Sequence, residues 1–411
     1  MNNRRLIAVF LSGITLFGMG CDAEDLNTCD VAERSCQETI YYTMLKLRND
    51  GYDPFAGLPP TRVITEAQFR DELLAQAAKD SGKAPSPWDE ALRLLHLYPP
   101  QTTPADGGVD TDGGTTPTEI DDQATHVYAY YSPTEKNVTI IAHPQLIGTD
   151  AEQTAMESLA HEFVHALQDR EMDLKASDSA SSSDEYLAAD TVVEGDARFY
   201  ETIFTGTLLK KFSTPNLVKA IDYELDYYFD HFDELGSPFF AAQMFMYPLG
   251  AKYFATQWAT EGNPAVRRAY GRAPKNAVGF LLNPDGSSPR NNVRTMACDA
   301  PAAKGMKPVG LDRFGALIFY SFLRGWQVDH ATAYDLAQGW TDDQVVVYQS
   351  TDKAAIGVAW RVDLGRSTPS TVLTALSRSG ELSLSPNGTA VTILATTPGN
   401  KVDWQAAPGC L

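Results

Sequence analysis

His161-Glu162-Phe163-Val164-His165 is the stretch on which the reading of this chain turns. An α-helix advances about 100° per residue, so two imidazoles four positions apart stack on one face and both can reach a single ion. Zinc suits that grip, because it takes neutral imidazole nitrogens, and a catalytic site keeps three protein ligands with a water in the remaining position. Glu162, between the two rings, is then placed to take a proton from that water. Independent signals make the segment helical. Thr149 and Glu152 form a capping-box pattern, and Met156, Leu159, Ala160, Phe163 and Leu167 recur at helical spacing.

A five-residue motif also arises by chance at roughly the 1% level in a chain of this histidine content, so a third ligand has to be found. Ala188 to Tyr200 reads as a second helix, with Val192, Val193 and Phe199 apolar and Glu194-Gly195-Asp196-Ala197 at its centre. Glu194 follows His165 by 29 positions, enough for the chain to return antiparallel and present a carboxylate. Gly195 fits that picture, since a glycine inside a helix costs about 1 kcal/mol and is tolerated where another backbone comes close. Asp196 and Glu201 are alternatives to Glu194, Asp190 or Asp196 could orient a ligand histidine from behind, and a solvated surface role for Glu194 is the competing reading. The longer motif with a third histidine is absent, because Gln168 and Glu171 stand where it needs glycine and histidine. His96, His126, His143, His231 and His330 are scattered and read as surface or core residues, with His231, in an aromatic run, the one most worth locating.

Ala160 to Asp169 and Val193 to Ala197 together resemble a family of secreted or lipid-anchored bacterial and archaeal zinc metallopeptidases. Phe245-Met246-Tyr247-Pro248-Leu249-Gly250, Ala273-Pro274-Lys275, Leu281-Leu282-Asn283-Pro284 and Gly339-Trp340-Thr341-Asp342-Asp343 are similar to further segments of that family. Thr341 and Asp342 depart from its two glycines. The similarity starts near Leu58-Pro59-Pro60 and spans most of the chain. It implies a gluzincin-like arrangement with His161, His165 and Glu194 as ligands and Glu162 as base, and it implies no particular substrate. A developing oxyanion also needs a donor besides the metal. Tyr247, bounded by Pro248 and Gly250, is the candidate, and a place in the aromatic core beside Phe239, Phe240, Phe245 and Tyr253 is its alternative.

Arg4 and Arg5 precede an apolar run from Leu6 to Met19 that suits a secretory signal. Gly18-Met19-Gly20-Cys21 resembles a bacterial lipobox, with Gly18 the departure, so lipidation of Cys21 and ordinary signal cleavage both stand as readings. Without Cys21, four of the five cysteines remain, an even set expected to pair as Cys29 with Cys36 and Cys298 with Cys410 in an oxidising compartment. A net charge of −20 excludes a nucleic-acid partner on electrostatic grounds, so any membrane association would run through the Cys21 anchor.

The expected organisation is a signal peptide at 1–20, a tether at 21–35, an N-terminal helical segment at 36–100 and a flexible linker at 101–119. A zincin-like domain at 120–340 and a C-terminal α+β portion at 341–411 follow. His126 to Ala142 alternates around Ser132-Pro133-Thr134-Glu135-Lys136-Asn137 and predicts a hairpin, of which Tyr128 to Tyr131 or Val138 to Ile141 could offer an open edge to a peptide. Ser177 to Asp184 reads as a polar loop between the two ligand helices. Gln344 to Tyr348, Ala355 to Trp360 and Ala390 to Thr396 read as strands. The fold class is therefore α+β and predominantly helical, zincin-like, with a small hairpin or sheet beside the motif helix. The function expected is peptide-bond hydrolysis with a Zn²⁺ cofactor at the cell envelope or outside it, acting on a peptide or protein substrate. The alternative is a tethered binding or scaffolding protein that keeps this shape without turnover.

Overall fold

The structure, a computed structural model, describes residues 28–48, 57–80, 86–98, 117–143, 150–174, 180–282, 300–365, 373, 376, 382–387 and 389–405. The signal peptide, Cys21, Thr149 and the proposed Cys298–Cys410 pair lie outside them. In chain order the elements begin α1 (Arg34–Arg48), β1 (Thr61–Thr65), α2 (Glu66–Asp80), α3 (Pro87–Leu94), α4 (Pro117–His126), β2 (Ala129–Ser132) and β3 (Asn137–Ala142). The helical body follows as α5 (Asp150–Glu171), α6 (Ser183–Leu208), α7 (Thr214–Asp230), α8 (Pro238–Met244), α9 (Met246–Glu261), α10 (Asn263–Tyr270) and α11 (Ala277–Leu282). The last part contains β4 (Ala302–Ala303), β5 (Lys307–Asp312), α12 (Gly315–Gly325), α13 (His330–Gly339), β6 (Trp340–Gln349), β7 (Ile356–Leu364), β8 (Ser383–Asn387), β9 (Ala390–Thr396) and β10 (Trp404–Gln405). The architecture is mixed α+β and predominantly helical.

α5 and α6 form the centre of the helical body, and the apolar spacing read from the sequence is what buries them: Met156, Leu159, Ala160, Phe163 and Leu167 on α5 meet Ala197, Phe199 and Tyr200 of α6 in one core. The Ser182 hydroxyl accepts from the Glu185 amide and starts α6, so Ser183 and Asp184 belong to that helix and not to the polar loop expected there. Gly195 has a steric reason. A Cβ there would lie 2.2 Å from the Gly250 Cα, and one on Gly250 would lie 2.0 Å from the Thr191 carbonyl oxygen. α6 and α9 thus cross backbone against backbone, which fixes the turn of α6 that carries Glu194 and brings Tyr247 to the same place.

The hairpin forms as expected, with β2 antiparallel to β3, but a third strand arrives from further back in the chain. β1 pairs in parallel with β3, giving the order β1-β3-β2. Val138–Ile141 is therefore the central strand and offers no edge, which corrects one of the two expectations; β2 and β1 are the edges. The segment 36–100, expected to be helical, also supplies that strand. Its start overlaps the expected tether, since α1 begins at Arg34, Val31 is buried and Cys29 is bonded to Cys36. The expected linker likewise ends early, at the start of α4. A five-stranded antiparallel sheet in the order β5-β6-β7-β9-β8 joins the C-terminal strands to β5, across the expected boundary at 340. One contiguous apolar core runs from Val31 to Ala395, so those boundaries do not separate packed units.

The Gly-Trp-Thr-Asp-Asp segment ties that sheet to the helices. Asp343 accepts hydrogen bonds from the amides of Phe314 (3.0 Å) and Gly315 (2.9 Å), capping α12, and from the indoles of Trp340 (3.2 Å) and Trp360 (2.7 Å). Asp184, only 1% exposed, accepts from the Ala277 amide at the start of α11. Burial pushes the Asp184 carboxyl up to about 8 despite that bond, with the charge of Asp343 adding to the rise. A carboxyl held above its unfolded value keeps its proton longer in the folded chain, so stability falls as the pH rises from about 4 toward 8. Asp184→Asn, which cannot ionise, is expected to lose less stability than the wild type between about pH 5 and pH 8.5, as read by urea unfolding with chelator present.

Candidate metal centre

α5 and α6 run antiparallel, and their contacts climb in step from Glu157 with Thr205 to Gln168 with Val193. Midway, both motif histidines turn their Nε2 atoms toward one carboxylate: His161 Nε2 lies 3.1 Å and His165 Nε2 3.3 Å from Glu194 Oε2. The ligand atoms of these three residues fall within 4.8 Å of one another. The spacing has a geometric meaning. Ligands about 2.0–2.1 Å from a tetrahedral zinc ion stand roughly 3.3 Å apart along each edge of the tetrahedron. Of the acids weighed from sequence, Glu194 is the one brought between the rings, and no other His, Cys, Asp or Glu group of this kind occurs among the described residues.

The far side of each ring decides which nitrogen stays bare. His161 Nδ1 faces Glu201 Oε2 at 3.0 Å, and a carboxylate there accepts, so in the neutral ring the proton sits on Nδ1 and Nε2 keeps its lone pair. His165 Nδ1 faces Gln168 Oε1 at 2.8 Å. That amide is oriented by its other end, because Gln168 Nε2 donates to the Val193 carbonyl (2.9 Å) and to Asp196 (3.0 Å). Both assignments follow from the hydrogen-bond network and both leave Nε2 free for a metal. Glu201 is therefore an orienting residue and not a substitute ligand, Asp196 acts one step behind Gln168, and all four ring nitrogens are accounted for without Asp190. Gln168 was not foreseen. Its signal was its position three residues after His165 on the same helix face.

Glu162 is 3% exposed and is held by the sheet: the Tyr131 amide at the β2 edge donates to Glu162 Oε2 at 2.7 Å. The same hairpin grips α5 two turns on, where the Tyr131 hydroxyl and Lys136 Nζ each donate to Asp169 Oδ2 at 2.6 Å. Tyr247, second residue of α9, lies with its ring 6.0 Å from that of His161. Its hydroxyl is buried and has no hydrogen-bond partner. Such an orphaned donor is costly in a finished core and is accounted for at a site that takes a ligand. The other histidines hold structural posts: His231 stacks on Tyr227 at 4.0 Å, His143 faces Glu66 and the Val127 carbonyl, and His330 meets the Tyr320 hydroxyl.

The electrostatics favour a positive charge between the helices. Burial opposes an imidazolium, yet hydrogen bonds to Glu194 and Glu201 outweigh it and push His161 up to about 10; His165 rises for the same reason beside Glu194. Burial would raise Glu194, but the two histidines hold it well below the usual carboxylate range. Glu162 is raised, mainly by burial, with the histidines opposing. Burial and the nearby acids drive the Tyr247 phenol far above its ordinary value, so it stays neutral and can only be a donor toward an anion. A divalent ion coordinated here would displace protons from both imidazoles, and two imidazoles with a carboxylate are donors that could hold such an ion, zinc among them.

No protein-family model, curated protein or solved structure matches the chain. If Glu201 sets the His161 tautomer, Glu201→Gln, which can offer an amide proton in place of an acceptor oxygen, weakens zinc binding roughly 10- to 100-fold. Competition with a chromophoric chelator measures it, and unchanged affinity would remove Glu201 from the site.

Proposed function

We propose that the chain is a zinc-dependent metallopeptidase with a zincin-like fold. One observation carries this reading: two imidazoles converge through their Nε2 atoms on Glu194 while a non-ligating carboxylate, Glu162, stands between them on the same helix. A site that only stabilises the fold has no use for that extra acid. The edge strand β2 beside it, whose Ala129 amide turns outward while its Tyr131 amide is taken by Glu162, supports a peptide substrate, since an edge strand pairs with an extended chain through main-chain hydrogen bonds. An extracytoplasmic setting, at the cell envelope through Cys21 or secreted, follows from the N-terminal signal. It agrees with the Cys29–Cys36 disulfide, a bond that persists in oxidising compartments. No helix among the described residues is long and apolar enough to cross a membrane.

Zinc, when bound, supplies Lewis acidity toward a scissile carbonyl and lowers the pKa of a water to about 7. The residues do the rest. His161, His165 and Glu194 hold the ion, and Glu162 takes the proton from the attacking water and passes it to the leaving amine. The Tyr131 amide keeps one Glu162 oxygen engaged and so leaves the other to face the reacting atoms. Tyr247, neutral and otherwise without a partner, donates to the developing oxyanion.

Glu162→Gln is expected to keep its zinc and lose peptide cleavage by roughly 10²- to 10⁴-fold, measured on an unbiased peptide library with metal content determined in parallel. Equal cleavage by the two proteins removes Glu162 as the base, and full zinc occupancy with no cleavage by the wild type favours the binding or scaffolding role. Tyr247→Phe, with zinc affinity unchanged, should lower kcat by about 10²- to 10³-fold and leave KM close to the wild-type value.

A further inference from the structure

We propose that α1 sustains the metal centre through a relay from Arg48 to Asp196 to Gln168 to His165, so that zinc affinity depends on a residue of the N-terminal helix that touches no ligand. The proposal rests on the reading of His161, His165 and Glu194 as metal ligands.

Arg48 is the last residue of α1 and is 2% exposed. Its guanidinium donates to Asp196 through Nη1, lies 3.5 Å from Glu171 Oε2 through Nη2, and sits 4.9 Å over the Tyr200 ring. The helix end is fastened where this happens. Asn263 Nδ2 donates to the carbonyls of Leu47 (2.7 Å) and Arg48, and its Oδ1 accepts from the Tyr200 hydroxyl and the Trp258 indole. Asp196 itself has no exposed surface. Arg48 is the cation that reaches it, through an ion pair with both side chains buried.

The carboxylate matters because one of its oxygens, Oδ2, receives both the Arg48 guanidinium and the Gln168 amide nitrogen. That second bond, together with those to the Val193 carbonyl and the Tyr270 hydroxyl (3.3 Å), points Gln168 Oε1 at His165 Nδ1. If Asp196 turned away, the Gln168 amide would lose an anchor and could rotate to present its NH₂ group. An imidazole facing a donor accepts on Nδ1 and carries its proton on Nε2, the nitrogen that must be bare to bind metal. His161 does not share this dependence, since its Nδ1 is held by Glu201. α1, with the Cys29–Cys36 disulfide at its start, is on this account a working part of the centre.

The test is a cycle of zinc dissociation constants on the full chain, by competition with a chromophoric chelator, for wild type, Arg48→Met, Gln168→Met and the double variant. Each single change is expected to weaken binding roughly 10- to 100-fold, and the double to weaken it no further than Gln168→Met alone. Combined with Glu201→Gln, which acts on the other histidine, Arg48→Met should instead add in full. The visible bands of cobalt(II) at the site should shift alike in Arg48→Met and Gln168→Met. Wild-type affinity in Arg48→Met, or losses that add between Arg48→Met and Gln168→Met, overturns the relay. Should Arg48→Met not fold, Arg48→Lys takes its place in the cycle, and additivity with Gln168→Met counts against the relay in the same way. No peptide enters the measurement, so absence of peptidase activity leaves it intact, whereas a wild type that binds no zinc defeats the metal reading itself.

Discussion

Too many acids are buried between α5 and α6 for the chain to fold around them without cations, and the arrangement of the helical body answers that constraint. Glu162, Glu201, Asp196 and Glu224 are each at most 3% exposed, and Glu194 sits among them. Arg198 satisfies two of them, bonding Glu201 through Nη1 and both oxygens of Glu224 at 3.0 Å through Nε. Arg48 serves Asp196. That leaves Glu194 and Glu162 facing the two imidazoles, and the remaining positive charge must come from protons on the rings or from a metal ion. Isolated carboxylates in such a medium would be neutralised at a cost of several kcal/mol each, so the vicinity of Glu194 selects for a cation whichever form it takes.

The rest of the fold can be understood as what holds these charges in register. The glycine-to-glycine crossing of α6 and α9 sets the height of Glu194 against the histidines and carries Tyr247 to the same wall. The three-stranded sheet fixes Glu162 from the other side, and β1 completes that sheet from a segment that ends 85 residues before the motif helix starts. Layers of hydrogen bonds behind the ligands do for the imidazoles what the crossing does for the carboxylate, with one charged support under His161 and a neutral amide under His165.

The sequence carried the local part of this well. The motif helix, the second ligand helix, the hairpin and the closing strands all have periodicities set by their own residues, and Gly195 announced a close backbone approach that the crossing with Gly250 supplies. What stayed hidden was non-local. Nothing in Thr61 to Thr65 says that it will pair with Val138 to Ala142, because a five-residue stretch with only Val63 and Ile64 apolar, in a helical neighbourhood, gives no pairing partner. Arg48 reads as one more basic residue at a helix end until Asp196 is placed beside it, 148 positions away. Glu201 was visible as a carboxylate two turns beyond Glu194, but whether it ligates or orients is a matter of which ring nitrogen it meets, and only the packing of the two helices decides that.

If the chain is a peptidase as proposed, the β2 edge would couple substrate and base closely. The Ile141 amide donates to the Tyr128 carbonyl, whereas the Val138 amide turns the other way to Pro60. In an antiparallel ladder the pattern alternates, so the amides of Ala129 and Tyr131 point out of the sheet. The Tyr131 amide is already engaged by Glu162. A peptide laid along this edge would therefore find its outward donor at Ala129 and, two residues on, the base itself where the next donor would be. On the proposed reading, the register of a peptide against the sheet and the position of Glu162 against its scissile bond would be set by the same four-residue strand. The Tyr131 hydroxyl and Lys136, both on Asp169, keep that strand from sliding along the helix that carries the motif.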